Sequence, residues 1–497
     1  MHTNLCSAQK EKHDKTRTSW YTVTRCPSHG NKCITHQGGK QTLNSGINFT
    51  EGKIIGPLLR FAGPILFALF LQSMYGAVDL LIVGKFADAA DVSAVSTGSQ
   101  IMMTLTNLVS SLAMGMTILL AQKIGEKKPE EGGRIIGSGI LLFLLIGILM
   151  TILASGLSPQ LAALMNAPEE AFDLTTSYIR ICGLGMIVII AYNLIGSIFR
   201  GIGDSQTPLI TVLIACLCNI AGDLLLVAVF KMGTSGAAIA TVFAQLVSVV
   251  ISLLLIRRKT LPFSFSPASI KWNGGIVRKI LFLGFPIALQ DLLVGISFLV
   301  VLSIVNSLGL FYSAGVGVAE KVCGFIMLIP LAFMQSMSAF TAQNRGAGKP
   351  DRAIKGLWNA IGISVLSGAA MFFLSFFHGD MLAGIFANDE AVIAAAAEYL
   401  KAYAIDCLLT SFLFCFIGFF NGMEYTGFVM AQGIAGAFLV RVPISFLMSK
   451  QDPVSLFHIG LATPCSTLLQ IVMCFICFYF LQKKLKETSR GAENHSR

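Results

Sequence analysis

Five polar side chains in otherwise apolar stretches have types and spacings suited to holding a small cation. Asp79, Asn219 and Asp223 lie inside long apolar runs, and Tyr178 and Thr241 occupy two more. An ionisable residue inside a membrane span costs at least ~2.5–3.5 kcal/mol, so each needs a compensating role. Asn219 precedes Asp223 by four residues and shares its helix face. At 1.5 Å per residue, Asp79 falls about 28 Å along the first run and Asp223 about 24 Å along the fifth, which runs in the same direction. Thr241 opens the sixth run, which returns from the far side, and Tyr178 is near the far end of the fourth. The five therefore reach similar depth and can form one cluster. Two carboxylates in a poorly hydrated site cannot both stay charged without a partner. A proton or a small cation neutralises the pair, and loading it changes local packing. The competing reading is that each Asp hydrogen-bonds backbone at a kink.

Further polar residues are candidates for a substrate cavity: Asp291 and Asp406, with Gln72 and Asn193. The two acids fit two roles equally, cavity acid or structural hydrogen bonder. Glu320 and Lys321 are adjacent, so they cannot face each other on a helix; they read as snorkelling residues at the outer interface. Arg441, followed by Pro443, reads as a helix anchor. Pro64, fifteen residues before Asp79, removes a backbone hydrogen bond and permits a bend. Met102, Met103, Phe412 and Phe414 represent a Met- and Phe-rich apolar lining of the kind adaptable binders use.

The elements that must position these residues follow from composition. Charged residues are 12% of the 497, apolar types 54%, and the mean hydropathy is +0.73. Soluble domains carry about 25% charge, so a water-soluble protein is excluded. Twelve apolar runs of about 20 residues or more follow residue 57: 58–84, 93–122, 135–156, 174–199, 206–230, 235–256, 278–305, 314–341, 357–377, 396–420, 427–449 and 456–481. They are too long for barrel strands, and only helices or closed barrels span lipid. The expected fold is an all-α membrane protein of twelve transmembrane helices. Lys123, Lys127, Lys128, Arg134, Arg200, Arg257, Arg258, Lys259, Arg345, Lys349 and Arg352 share one side with both ends of the chain, against Lys85, Arg180, Lys231, Lys401 and Lys450 on the other. The positive-inside rule then puts both termini in the cytoplasm. The net charge of +10 reflects this asymmetry and not nucleic-acid binding. The expected divisions are a polar basic tail, 1–52, expected to be unstructured; a six-helix lobe, 53–258; a linker, 259–277; a second lobe, 278–482; and a basic tail, 483–497. The first tail has no signal-peptide apolar region. Its Cys26, His29, Cys33 and His36 spacing is too short a match to assign a metal. The cysteines of the apolar runs, such as Cys182 and Cys407, read as small buried hydrophobes.

A shift of 221 residues superposes the halves. Ala121-Gln122-Lys123-Ile124-Gly125-Glu126-Lys127-Lys128-Pro129 meets Ala342-Gln343-Asn344-Arg345-Gly346-Ala347-Gly348-Lys349-Pro350, and Tyr178, Phe199 and Gly201 meet Tyr399, Phe420 and Gly422. Pro64 and Pro286 match with one extra residue. Two six-helix halves in the same orientation are the signature of a transporter with parallel repeats and a site between them. Asp79 falls opposite Val300 and Asp223 opposite Ile444, so the acidic pair has no second copy.

Val78-Asp79 with Val83-Gly84, Gly201-Ile202-Gly203-Asp204-Ser205, Asn219-x3-Asp223 and Gly236-Ala237-Ala238-Ile239-Ala240-Thr241 together resemble the multidrug and toxic compound extrusion (MATE) family, over about residues 53–482. The pattern is most similar to its DinF-like bacterial branch. The resemblance implies a cation-coupling cluster at Asp79, Asn219, Asp223, Thr241 and Tyr178, and a bending proline at Pro64. The NorM-like branch carries a Glu in the seventh span, where this chain has Asp291 and then apolar residues. The resemblance also implies export of amphipathic, often cationic compounds in exchange for Na+ or H+, with no other cofactor. The expectation is a monomeric secondary antiporter of the plasma membrane, with a small-molecule substrate and lipid as its partners and no nucleic acid. A lipid or polysaccharide-lipid flippase is the alternative, but it would want several basic cavity residues to hold phosphate, and only Lys321 and Arg441 offer themselves. An enzyme is not expected, because no His-Glu-x2-His or Gly-x-Ser-x-Gly motif occurs.

Overall fold

The computed structural model describes residues 23–25, 32–34, 46–259, 261–263 and 265–495. In the unit Met1–Ser45, β1 (Val23–Arg25) pairs antiparallel with β2 (Lys32–Ile34). Cys26, His29 and His36 of the tail's Cys/His spacing lie outside the described residues. The second unit, Gly46–Arg497, is helical. Its first half holds α1 (Ile55–Phe86), α2 (Ala89–Gly125), α3 (Pro129–Gly156), α4 (Ser158–Leu164), α5 (Glu169–Leu184), α6 (Met186–Gly201), α7 (Gln206–Asp223) and α8 (Gly233–Arg258). The second half holds α9 (Gly274–Asn306), α10 (Leu310–Ile326), α11 (Leu328–Gly346), α12 (Pro350–Phe377), α13 (Gly379–Ala383), α14 (Glu390–Gly422), α15 (Thr426–Ala435), α16 (Val442–Met448), α17 (Leu456–Gly460) and α18 (Ala462–His495). Among the described residues, eleven helical segments are long and apolar enough to cross a membrane, and a bent pair makes the twelfth. That pair is α5 and α6, which meet at 54° around Gly185, so the fourth run (174–199) is a broken span rather than one straight helix.

Polar side chains start several helices by satisfying their first amide groups. Asn273 accepts from Gly275 N and Ile276 N at 3.0 and 3.2 Å, and Asp389 from Ala391 N and Val392 N at 2.8 and 3.3 Å. The repeated sequence motif is itself such a punctuation mark. In it α2 and α11 end on left-handed residues, Lys127 (φ 56°) and Gly348 (φ 69°). The amides that follow close back alike, Lys128 N to Lys123 O and Lys349 N to Asn344 O. Proline then opens α3 and α12, where its missing amide hydrogen costs nothing.

The same motif is where the halves touch. A Cβ placed on Gly125 would stand 2.0 Å from Gln343 O, and one on Gly346 would stand 2.0 Å from Gln122 O. These are reciprocal contacts between equivalent residues, as a pseudo-twofold axis requires. They bring α2 and α11 backbone to backbone at the basic face, the end of the bundle that carries Lys123, Arg345 and Lys349.

The halves also exchange their first helices. Leu58, Phe61 and Ile65 of α1 belong to the apolar core of the second half, with Phe340 and Phe416. Beyond Pro64 the helix crosses over, and Ile82 and Val83 join the core of the first half. Likewise Val277, Ile280 and Leu283 of α9 lie in the first-half core, and Val305, beyond Pro286, lies in the core of the second. Each helix therefore crosses between the cores beyond its proline, α1 between Ile65 and Ile82 and α9 between Ile287 and Val305.

Residues 46–54 are ordered against the basic face, so the tail unit ends at Ser45 and not at 52. Phe49 is fully buried, edge-on to Phe61 at 5.1 Å and to Phe340 at 5.5 Å. The Arg352 guanidinium gathers the carbonyls of Phe49, Glu51 and Gly52, each at 2.9 Å. Asn344 Nδ2 also donates to Phe49 O at 3.2 Å, while Ile47 N donates to Gly203 O of the first half at 2.9 Å. Polarity had marked this stretch as tail; one buried aromatic and an arginine fork anchor it. Charge-assisted bonds of this kind contribute about 1.5–3 kcal/mol. Arg352→Ala is thus expected to speed hydrogen exchange at the Ile47 amide by about ten-fold or more, read by mass spectrometry in detergent. Unchanged protection would deny the strap its anchor.

Candidate functional site

In the first half, α1, α5, α7 and α8 bring together all five residues singled out for cation binding. Asp79, Asn219, Asp223, Thr241 and Tyr178 are buried. Thr241 Oγ1 donates to Asp79 Oδ2 at 3.4 Å, and Asn219 Nδ2 to Thr241 Oγ1 at 3.5 Å. The Asp79 and Asp223 carboxyls are neighbours, and Tyr178 reaches the group beside Thr241. Asp79 Oδ1, Asn219 Oδ1 and both Asp223 oxygens have no hydrogen-bond donor among the described residues. No Lys, Arg or His forms an ion pair with either carboxylate among those residues. Directly after Asp223 the helix widens into a π-helical segment, Leu224–Val229, of the kind that collects at functional sites. Two members escaped the sequence reading. Tyr75 lies near Asp79, and Gln245 Nε2 donates to its hydroxyl at 3.5 Å. Each stands four residues from a cluster member on the same helix (Tyr75 from Asp79, Gln245 from Thr241), a helical signal that was present.

A separate cavity of about 810 Å³ lies between the halves, and its walls do not include the Asp79 cluster. Gln72, Asn193, Asp291 and Asp406 all line it. Gln72 Nε2 donates to Tyr192 Oη at 3.3 Å, and Ser110 Oγ donates to Asn193 Oδ1 at 2.8 Å. Asp291 Oδ2 accepts from Ser111 Oγ across the junction of the halves, whereas Asp406 Oδ1 has no partner among the described residues. The sequence left the roles of these acids level; their surroundings separate them.

Two residues stand elsewhere than expected. Glu320 lines the cavity instead of snorkelling, while Lys321 beside it is exposed. Successive helix residues point about 100° apart, so one can face the cavity and the next the lipid. Arg441, expected to be an anchor, is 5% exposed and lines the cavity too.

At the basic face Asp204 ties the turn before α7 to the end of α8. Its carboxylate accepts from Thr207 N at 3.0 Å, Thr207 Oγ1 at 2.6 Å and Lys259 Nζ at 2.6 Å. Burial pushes the Asp204 carboxyl up, but Lys259 and Thr207 outweigh it and hold it below the usual carboxylate range. A lowered folded-state pKa means that the unfolded chain binds more protons as pH falls. Its contribution is therefore complete above about pH 4 and is lost as the pH drops through the lowered value. Thermal unfolding of the wild type is expected to become more acid-sensitive than that of Asp204→Asn in this range. Parallel pH profiles of the two would count against the linkage.

The MatE family profile matches residues 64–225 and 286–447, one stretch in each half. A probable multidrug resistance protein of Bacillus subtilis (strain 168), YpnP, is 27% identical over 443 residues, covering 87% of this chain and 96% of its own. The Multidrug export protein MepA of Staphylococcus saprophyticus is 23% identical, covering 81% and 88%. Among solved structures, an outward-facing MATE family transporter of the MOP superfamily superposes with a TM-score of 0.83 at 19% identity, over 90% of this chain and all of that one. A MOP superfamily transporter from Pyrococcus furiosus gives 0.84 at 19%, over the same shares.

Proposed function

Since the chain belongs to the MatE family, we propose that it is a cation-coupled antiporter that exports amphipathic, cationic compounds by alternating access. The observation that carries the reading is the adjacent, buried and uncompensated carboxylate pair of Asp79 and Asp223, present in one half only. A loaded Na+ or H+ would remove the repulsion between the two carboxylates and draw α1 and α7 together. Because α1 passes from one core into the other between Ile65 and Ile82, such a movement is transmitted to the basic face. The cavity between the halves would take the substrate, and its acids suit a cationic one. The printed names of the Bacillus and Staphylococcus relatives, multidrug resistance and multidrug export, support drug export.

The protein works as a carrier and not an enzyme, monomeric, with no cofactor beyond the coupling ion. It resides in the plasma membrane with both termini in the cytoplasm, as the charge asymmetry of its connections favours. Rhodamine 6G efflux from proteoliposomes under an imposed Na+ or pH gradient tests the reading. One gradient is expected to drive efflux and thereby name the ion. Dye that moves under neither gradient, with the protein folded, would turn attention to a lipid-linked substrate.

A further inference from the structure

Arg441 ends the π-helical segment Gly436–Arg441, and its guanidinium donates from Nη1 to Ser297 Oγ at 3.0 Å. It stacks over the Phe298 ring at 4.1 Å, while Nε is buried with no partner among the described residues. No carboxylate lies within ion-pair distance of it among the described residues. Yet Glu320 and Asp406 share its cavity, each with one buried oxygen that accepts no hydrogen bond from the described residues. Where this chain uses charges to brace itself, they touch: Lys259–Asp204 at 2.6 Å, Lys279–Glu424 at 2.8 Å, Arg345–Glu424 at 2.9 Å. The cavity wall instead holds Arg441 and Asp406 within electrostatic reach of each other but not in contact, with Glu320 on the same wall. A buried charge without a partner is costly. The ring of Phe298 offsets part of that cost for Arg441, and leaves the planar edge of the fork for a ligand.

We propose that Arg441 is an anion anchor, the residue that selects carboxylate-bearing amphiphiles among the exported compounds. Their carboxylate engages the guanidinium of Arg441 as a two-pronged pair, and their cationic end meets Glu320 and Asp406. The inference rests on the export reading and names its substrate class. Arg200, the second arginine on the cavity wall, likewise donates to a serine, Ser197 Oγ at 2.9 Å, and has a buried Nε without a partner among the described residues, but no aromatic ring lies beneath its guanidinium among those residues, and it is not the anchor.

The test is equilibrium binding by fluorescence anisotropy to purified protein in lipid nanodiscs, without any gradient. The probes are rhodamine 110, which carries a free benzoate, and rhodamine 123, its methyl ester. The wild type is expected to bind the acid about ten-fold or more tightly than the ester, the worth of one charge-assisted bond. Arg441→Gln should bring the two together by weakening the acid, and Arg200→Gln should keep the preference. Equal binding of acid and ester by the wild type overturns the proposal even if no variant folds. So does an Arg441→Gln protein that loses both dyes equally, or an Arg200→Gln protein that loses the preference. Failure of gradient-driven efflux with the acid preference intact would strike the coupling, and leave the anchor standing.

Discussion

Asp79→Asn is expected to lower gradient-driven dye efflux roughly 5- to 150-fold, the range of a typical coupling free energy. The substitution keeps size and hydrogen-bonding capacity but removes one of two adjacent charges. In the wild type, the cluster offers Asp79 Oδ1, Asn219 Oδ1 and both Asp223 oxygens, none of them with a donor among the described residues. With the Asp79 charge gone, Asp223 can remain alone as an anion or take one proton, and cation loading no longer relieves a repulsion. The driving gradient then has no differential hold on the two conformations, and a ligand that binds both states equally shifts neither. Because the cluster is outside the walls of the central cavity, dye binding at equilibrium should change less than about two-fold in the same variant. Efflux that survives at wild-type rate would move the coupling site away from Asp79. Dye binding that collapses together with efflux would mean a general structural failure and would equally sink the assignment.

The second large effect belongs to Gly346→Ala. The new Cβ would stand 2.0 Å from Gln122 O and 2.8 Å from its carbonyl carbon, both backbone atoms of α2 that cannot turn aside. Overpacking of this kind costs about 1–3 kcal/mol, and here it falls on the conformation in which the basic face is shut. The equilibrium should shift toward an opened basic face by about five- to a hundred-fold. Spin labels on Lys128→Cys and Lys355→Cys, both exposed at that face, should separate in pulsed electron resonance, in a background cleared of reactive cysteines. Gly125→Ala, whose Cβ would meet Gln343 O, should act alike. Gly362→Ala, with nothing within 4 Å of its Cβ, should leave the distances alone. If Gly346→Ala and Gly125→Ala also leave them unchanged, the reciprocal glycine contact does not govern closure.

Much of this architecture was legible in the chain. Helical periodicity and the length of apolar runs report depth in the bilayer and the face of one helix. That was enough to set Asp79, Asp223 and Thr241 at a common level and to put Asn219 beside Asp223. The 221-residue repeat carried more than homology of halves, since its most similar stretch caps α2 and α11 and supplies the glycines of the reciprocal contact. A motif that must both end a helix and admit a second backbone leaves little freedom in residue choice.

What the chain did not disclose is which helix faces which. Neighbour identity depends on non-local packing, and no spacing within one helix encodes it. Hence Glu320 and Arg441 looked like interface and anchor residues, although they share a cavity wall. Polar composition likewise hid the docking of residues 46–54, which depends on Phe49 finding Phe61 and Phe340. The spans, the twofold repeat and the depth of the acids are written along the chain, because lipid enforces length and hydropathy helix by helix. Packing alone sets the crossing of α1 and α9 between the cores, the bond from Ser111 to Asp291, and the placing of Arg441 near Asp406 without contact. Those outcomes depend on contacts between distant parts of the chain, which form only when both halves are packed.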